Sequence, residues 1–78
     1  MIKILLFTNL KEKFGEDEME WQGAGLSVSG LKSQLADRLN VKDELASVMT
    51  AVNEEFVDDA YVLEKGDVVA FIPPVSGG

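Results

Sequence analysis

The stretch SVSGLKSQLADRL, residues 27–39, is the segment from which the fold class follows. Its apolar residues recur near the 3.6-residue period of an α-helix, and polar or charged residues occupy the positions between them. These apolar residues are Val28, Leu31, Leu35 and Leu39. Ser27 is the predicted N-cap, and Asn40 can adopt the left-handed conformation that ends a helix. The sequence therefore predicts one amphipathic helix whose apolar stripe needs a surface to cover.

Segments on both sides of this helix have the pattern of β-strands. Before it, IKILLF (residues 2–7) places Ile2, Ile4 and Leu6 on one face, and EMEW (residues 18–21) alternates acidic with apolar side chains. After it, VMTAV (residues 48–52) and FV (residues 56–57) flank a polar hairpin connection, and VVAFI (residues 68–72) is a last, buried strand. Short helical turns are expected at residues 10–14 and 42–46. The fold class is therefore α+β: a mixed sheet of about five strands covered by one main helix.

Charge and residue types narrow the possible functions. Fourteen acidic and seven basic residues give a net charge of −7, which repels nucleic acids and anionic membranes and favours a partner protein with a basic surface. Cysteine and histidine are absent, so thiolate nucleophiles, disulfides and the commonest zinc ligands are excluded. Neighbouring acids such as Asp58 and Asp59 diverge in a strand or turn, and no metal-ligand spacing is present. We expect no metal, no bound cofactor and no catalytic centre within the chain.

The N-terminal segment and the hydropathy pattern indicate where in the cell the protein is expected. The apolar run after Lys3 is far shorter than the hydrophobic region of about 7 to 15 residues in a signal peptide. No apolar run is long enough to span a membrane. The expected location is therefore the cytoplasm.

The last eight residues, FIPPVSGG (residues 71–78), have an unusual order. Pro73 and Pro74 remove two backbone donors, so a sheet ladder cannot continue past Ile72. Gly77 and Gly78 carry no side chains, so the end of the tail is narrow enough for a tight channel. A carboxylate is unreactive at neutral pH, but adenylation by ATP would convert it into a mixed anhydride open to a sulfur or amine nucleophile. The sequence thus divides into a folded domain, residues 1–72, and a flexible tail, residues 73–78, with a frayed end as the alternative.

Three apolar residues can form a surface at the base of this tail. Phe7 and Ile72 are expected on adjacent strands, on the face away from the helix, and Phe56 can join them. Such a patch would bind a partner protein. The alternative is that all three are ordinary core residues, because strand parity is easily shifted by one residue. Trp21 and Tyr61 are interpreted as packing residues.

Three segments of the chain carry a family resemblance: MIKILLF (residues 1–7), AVNEEFV (residues 51–57) and LEKGDVVAFIPPVSGG (residues 63–78). Together they resemble the small subunit of molybdopterin synthase. The resemblance implies a ubiquitin-like β-grasp fold and a role in sulfur transfer. It implies that Gly78 is adenylated by a ubiquitin-activating-type enzyme, which consumes ATP, and is then converted to a thiocarboxylate. The sulfur would come from a sulfur donor protein and build the dithiolene of molybdopterin from cyclic pyranopterin monophosphate.

The resemblance also assigns roles to individual residues. The large subunit of the synthase would supply the substrate site and the catalytic side chains. Gly78 would carry the reactive atom, and the tail would thread and position it through Pro73, Pro74, Val75, Ser76 and Gly77. Phe7, Phe56 and Ile72 fall where family members contact their partners. Ser76 departs from the threonine of many relatives, which leaves the tail chemistry intact.

Three other functions remain open. A sulfur carrier for thiamine thiazole synthesis or for tRNA thiolation would use the same activated glycine, although such carriers less often have the double proline. A ubiquitin-like modifier would form an amide with a lysine of its target. A plain binding module would make no chemical use of its tail.

Overall fold

The computed structural model of the chain describes residues 1–45 and 47–73, and these residues form five strands and three helices. In chain order the elements are β1 (Ile2–Leu6), α1 (Thr8–Phe14), β2 (Glu18–Trp21), α2 (Val28–Leu39), α3 (Lys42–Leu45), β3 (Met49–Val52), β4 (Glu55–Phe56) and β5 (Val68–Ile72). Each strand and the main helix predicted from the sequence is present, although the fourth strand begins at Glu55 and ends at Phe56. Among the described residues, no helix has the length and apolar character needed to cross a membrane.

The five strands form one mixed sheet in the order β2-β1-β5-β3-β4. β1 and β5 pair in parallel, and every other pair is antiparallel. The first and last strands of the chain are therefore neighbours near the middle of the sheet. This arrangement confirms the predicted α+β fold, with a mixed five-stranded sheet and one main helix.

The core lies between α2 and one face of the sheet. Ile2, Ile4 and Leu6 are at most 3% exposed, and so are Val69 and Phe71 of β5. On the helix, the predicted stripe supplies the opposing buried side chains, namely Val28, Leu31 and Leu35. Burial of apolar area on this scale is what stabilises so small a domain.

The ends of the helices have the predicted caps. Ser27 Oγ accepts a hydrogen bond of 3.0 Å from the backbone N–H of Gly30 at the start of α2. Asn40 ends that helix in the left-handed conformation, with φ 56° and ψ 47°. Gly15 ends α1 in the same region, with φ 75°, and its N–H donates to the carbonyl of Lys11. Ser27 and Gly15 thereby pair with backbone groups that a bare helix end would leave without a partner.

The two predicted packing aromatics differ in the structure. Trp21 is half-buried against α2: its indole N–H donates to Gln34 Oε1 at 3.0 Å, and the Arg38 guanidinium lies 5.7 Å from the ring centre. Tyr61 is instead an exposed side chain in the loop before β5. The packing role predicted for Tyr61 is therefore wrong, because this residue lies in an exposed part of the loop, between Ala60 and Val62, which are also exposed.

Candidate functional site: an apolar groove on the open face of the sheet

The face of the sheet opposite α2 carries a row of apolar side chains. The register pairs Leu5 with Ala70, Ala70 with Ala51, and Ala51 with Phe56, so one row crosses four strands. Partners in register project to the same face of a sheet. Because Leu6, Val69 and Phe71 point into the core, their neighbours in these strands must point to the open face.

This row is the centre of an open groove of about 590 Å³. Two small residues, Ala51 and Ala70, form its floor, since Ala51 is only 5% exposed on the middle of the open face. Larger apolar side chains rise around this floor, and two polar residues, Asn53 and Glu54, complete the rim. The surrounding apolar residues are Leu5, Phe7, Phe56, Val68 and Ile72. We call this surface the sheet groove.

The structure brings the three predicted patch residues together in the sheet groove. Phe7 is 42% exposed and Phe56 is 64% exposed, whereas Ile72 is half-buried. Phe7 and Ile72 come together because Leu6 pairs with Phe71 in the parallel β1–β5 ladder, and each is the next residue of its chain. The alternative that all three are core residues is therefore wrong. Their role in partner binding stays a prediction.

Several groove residues were not predicted from the sequence. Leu5, Ala51, Val68 and Ala70 belong to the same surface. The period of two that separates Leu5 from Phe7, and Val68 and Ala70 from Ile72, is the signal that could have found them. Met49 lies opposite Ile72 in the β3–β5 register and is 49% exposed, so it continues the apolar surface past the groove.

The predicted tail begins at the margin of this surface. β5 ends at Ile72, which lines the groove, and Pro73 follows as a half-buried residue outside the ladder. Five predicted site residues lie outside the described residues: Pro74, Val75, Ser76, Gly77 and Gly78. The boundary predicted between a folded domain and a flexible tail at residues 72 and 73 therefore stays a prediction.

The charged groups around the groove are two ion pairs on one side and a single glutamate on the other. On its β2 side, Lys3 Nζ lies 3.8 Å from Glu18 Oε1, and Lys11 Nζ lies 2.9 Å from Asp17 Oδ1. Both pairs are well exposed, so each contributes little to stability. On the β4 side, Glu54 forms part of the rim. Within residues 1–45 and 47–73, no three acidic side chains converge in a way that could hold a metal ion.

Comparison with known proteins gives a full-length match. The ThiS family profile matches residues 4–78. The molybdopterin synthase sulfur carrier subunit of Escherichia coli (strain K12) is 37% identical over 81 residues, which cover 100% of each chain. These matches confirm the resemblance identified from the sequence.

Two solved structures share the fold. The small archaeal modifier protein 1 of Methanosarcina acetivorans superposes with a TM-score of 0.80 at 24% identity, covering 99% of this chain and 95% of that one. A chain in the complex of subunits 1 and 2 of the Helicobacter pylori 26695 molybdopterin-converting factor gives a TM-score of 0.70 at 24% identity, covering 99% and 97%. The predicted ubiquitin-like β-grasp fold is thereby confirmed. On the family profile and the full-length identity together, this chain belongs to the ThiS family.

Proposed function

We propose that this chain is the sulfur-carrier small subunit of a molybdopterin synthase. The observation that carries the proposal is the position of β5: it lies inside the sheet, ends at Ile72 in an exposed apolar groove, and is followed by PPVSGG. A partner that binds the sheet groove is thereby placed beside the base of the tail. Its full-length relative in Escherichia coli carries the name of this subunit.

The chemistry belongs to Gly78. A carboxylate oxygen of Gly78 attacks the α-phosphorus of ATP, pyrophosphate leaves, and an acyl adenylate forms on a ubiquitin-activating-type enzyme. Hydrosulfide supplied by a sulfur donor protein then attacks the carbonyl carbon, and AMP leaves with the bonding electron pair. The product is a thiocarboxylate, with one oxygen replaced by sulfur and no change of oxidation state. ATP is a co-substrate of the activating enzyme, and this chain contributes no catalytic side chain.

The remaining tail residues position that atom. Pro73 and Pro74 hold the chain in an extended path away from the sheet, because proline fixes φ near −65° and cannot join the ladder. Val75, Ser76 and Gly77 then span the distance to a buried site on the partner. Six extended residues reach roughly 20 Å, which is enough to enter an active site while the folded domain stays on the surface.

The sheet groove is the docking surface for the large subunit. Phe7 and Phe56 are large, exposed and aromatic, which is the side-chain type that dominates binding energy in protein interfaces. The complex of subunits 1 and 2 in the Helicobacter pylori factor is consistent with such a pairing. On the large subunit the sulfur passes to cyclic pyranopterin monophosphate, and water restores the carboxylate of Gly78. The protein is proposed to act in the cytoplasm.

Mass spectrometry of the terminal peptide tests this function. The chain is incubated with ATP, the activating enzyme and a sulfur donor and then cleaved after Lys65. The expected product is the peptide of residues 66–78 with one oxygen replaced by sulfur. This peptide contains no methionine, so oxidation of Met1, Met19 or Met49 cannot imitate the mass gain. A matched incubation without ATP must leave the peptide unchanged.

Other outcomes of the same experiment identify the rival functions. An amide between Gly78 and a lysine of another protein would indicate a ubiquitin-like modifier. A thiocarboxylate that the large subunit cannot use, but that supports thiazole synthesis or tRNA thiolation, would assign the chain to another sulfur pathway. A peptide that stays unmodified in the presence of all components would contradict the sulfur-carrier function.

A further inference from the structure

Glu54 occupies a backbone conformation that does not suit it. It is the second residue of the two-residue turn between β3 and β4, with φ 71°, and Asn53 before it has φ 52°. Hairpin turns with two positive φ values favour glycine at the second position, because a Cβ is crowded there. Asn53 tolerates the left-handed region, whereas a glutamate has no such preference.

Among the residues that the structure describes, no side-chain contact of Glu54 offsets this strain. The Glu54 side chain is exposed, and it forms no hydrogen bond or ion pair with any residue in the ranges 1–45 and 47–73. Asn53, and not Glu54, holds the turn in place, since its side chain hydrogen-bonds to Asp67 and to the backbone N–H of Val68. Strained residues without a structural function are found most often at functional sites.

The position of Glu54 indicates what its carboxylate can contact. It lines the rim of the sheet groove on the same side as Phe56. A protein that covers the whole length of the groove, from Ile72 at the end of β5 to Val68 at its start, also covers the rim at Glu54 and removes water from its carboxylate. A carboxylate that loses water on binding is costly unless a positive charge pairs with it.

We propose that Glu54 is a specificity residue of the sheet groove, and that its carboxylate pairs with a lysine or arginine of the large subunit. This inference rests on the proposed function, because it takes the large subunit as the occupant of the groove. The apolar side chains supply contact area but impose little directional preference. A single charged pair at the rim fixes the orientation of the bound partner and disfavours partners that lack a basic residue there.

Glu55 provides a matched control. It is also exposed, and its replacement by glutamine changes the net charge by the same amount. Its register partner is Val52, which is 3% exposed and faces the core side of the sheet. Glu55 is therefore directed away from the groove face, and it does not contribute to the groove lining.

The experiment measures the dissociation constant of the full chain and the purified large subunit from the same organism, at low and at high salt. We expect Glu54→Gln to weaken binding about tenfold at low salt and to flatten its salt dependence, and Glu55→Gln to change it less than about twofold. Glu54→Gly should weaken binding equally while raising the melting temperature of the free domain. A residue with a merely structural role cannot give that opposite pair of effects. Phe56→Ala removes a large apolar side chain from the groove, so its dissociation constant tests whether the large subunit binds there.

The outcomes separate this inference from the proposed function. Suppose that the unaltered chain binds the large subunit and that Phe56→Ala weakens this binding. If Glu54→Gln and Glu55→Gln then have the same effect, the specificity role of Glu54 is overturned, and the groove remains the proposed docking surface. If Phe56→Ala has no effect, the groove is not the docking surface and both proposals about it fail. Failure of the unaltered chain to bind the large subunit overturns the synthase assignment together with this inference.

Discussion

Asn53 shows how one residue can set the geometry of the sheet groove. Its positive φ makes the two-residue turn, and its side chain then joins that turn to the start of β5. Asn53 Nδ2 donates to Asp67 Oδ1 at 3.0 Å, and Asn53 Oδ1 accepts from the N–H of Val68 at 3.0 Å. Asp67 is only 7% exposed and also accepts from the N–H of Glu64 at 2.9 Å. The rim of the sheet groove is therefore fixed by a small, partly buried hydrogen-bond network.

Replacement of Asn53 by aspartate should break this network without changing the shape of the turn. Aspartate also tolerates positive φ, but it would place a second carboxylate against Asp67 and remove the donor. We expect Asn53→Asp to lower the free energy of unfolding by about 2 kcal/mol, the scale of a hydrogen bond to a charged group. Urea denaturation at neutral pH measures this loss. Asn53→Gly keeps the turn and removes both side-chain bonds without adding charge, so it should cost less. An equal loss in the two variants would contradict the charge argument.

At the scale of the elements, the sequence predicted what depends on local patterns. Ile2, Ile4 and Leu6 alternate, and Val28, Leu31 and Leu35 recur at the helical period, so strand, helix and core face could be identified from spacing. Pairing between distant segments leaves no comparable trace. Nothing local to Leu5 or Ala70 shows that β1 and β5 are parallel neighbours, and only that pairing makes the two residues part of one groove. Tyr61 was misplaced for the same reason, because an aromatic residue in a loop has no period to indicate its side.

The floor of the sheet groove gives a test that belongs to its strands. Ala70 lies between Leu5 and Ala51 in register, and a leucine there would fill the groove from below. We expect Ala70→Leu to weaken binding to the large subunit at least about tenfold, because the partner loses access to the floor. The free energy of unfolding should change by less than about 0.5 kcal/mol, since the added atoms extend toward solvent and not into the core. Ala24→Leu, the same substitution in an exposed turn, should leave binding unchanged. Tight binding by Ala70→Leu would show that the partner docks elsewhere.

At the scale of the whole molecule, we propose that the folded domain provides the stability and that the tail provides the reactive group. Every buried apolar residue that the structure describes belongs to the range 2–71. The proposed chemistry, by contrast, is confined to the tail. A net charge of −7 adds a long-range attraction to basic partners, which increases the rate of encounter more than the final affinity. The sequence predicts this division from the double proline that precedes the terminal glycine pair.

Deletion of Gly77 and Gly78 tests the division directly. Glycine residues have no side chains to pack against the core. The free energy of unfolding of the shortened chain should therefore equal that of the intact chain within about 0.5 kcal/mol. Its new last residue, Ser76, carries a Cβ that a channel built for diglycine would exclude. We expect the activating enzyme to lose ATP–pyrophosphate exchange with this variant, whereas Ser76→Thr, which keeps the glycine pair, should retain it. Exchange that persists after the deletion would show that the reactive carboxylate does not depend on the diglycine end. A large loss of stability would show that the tail belongs to the folded domain.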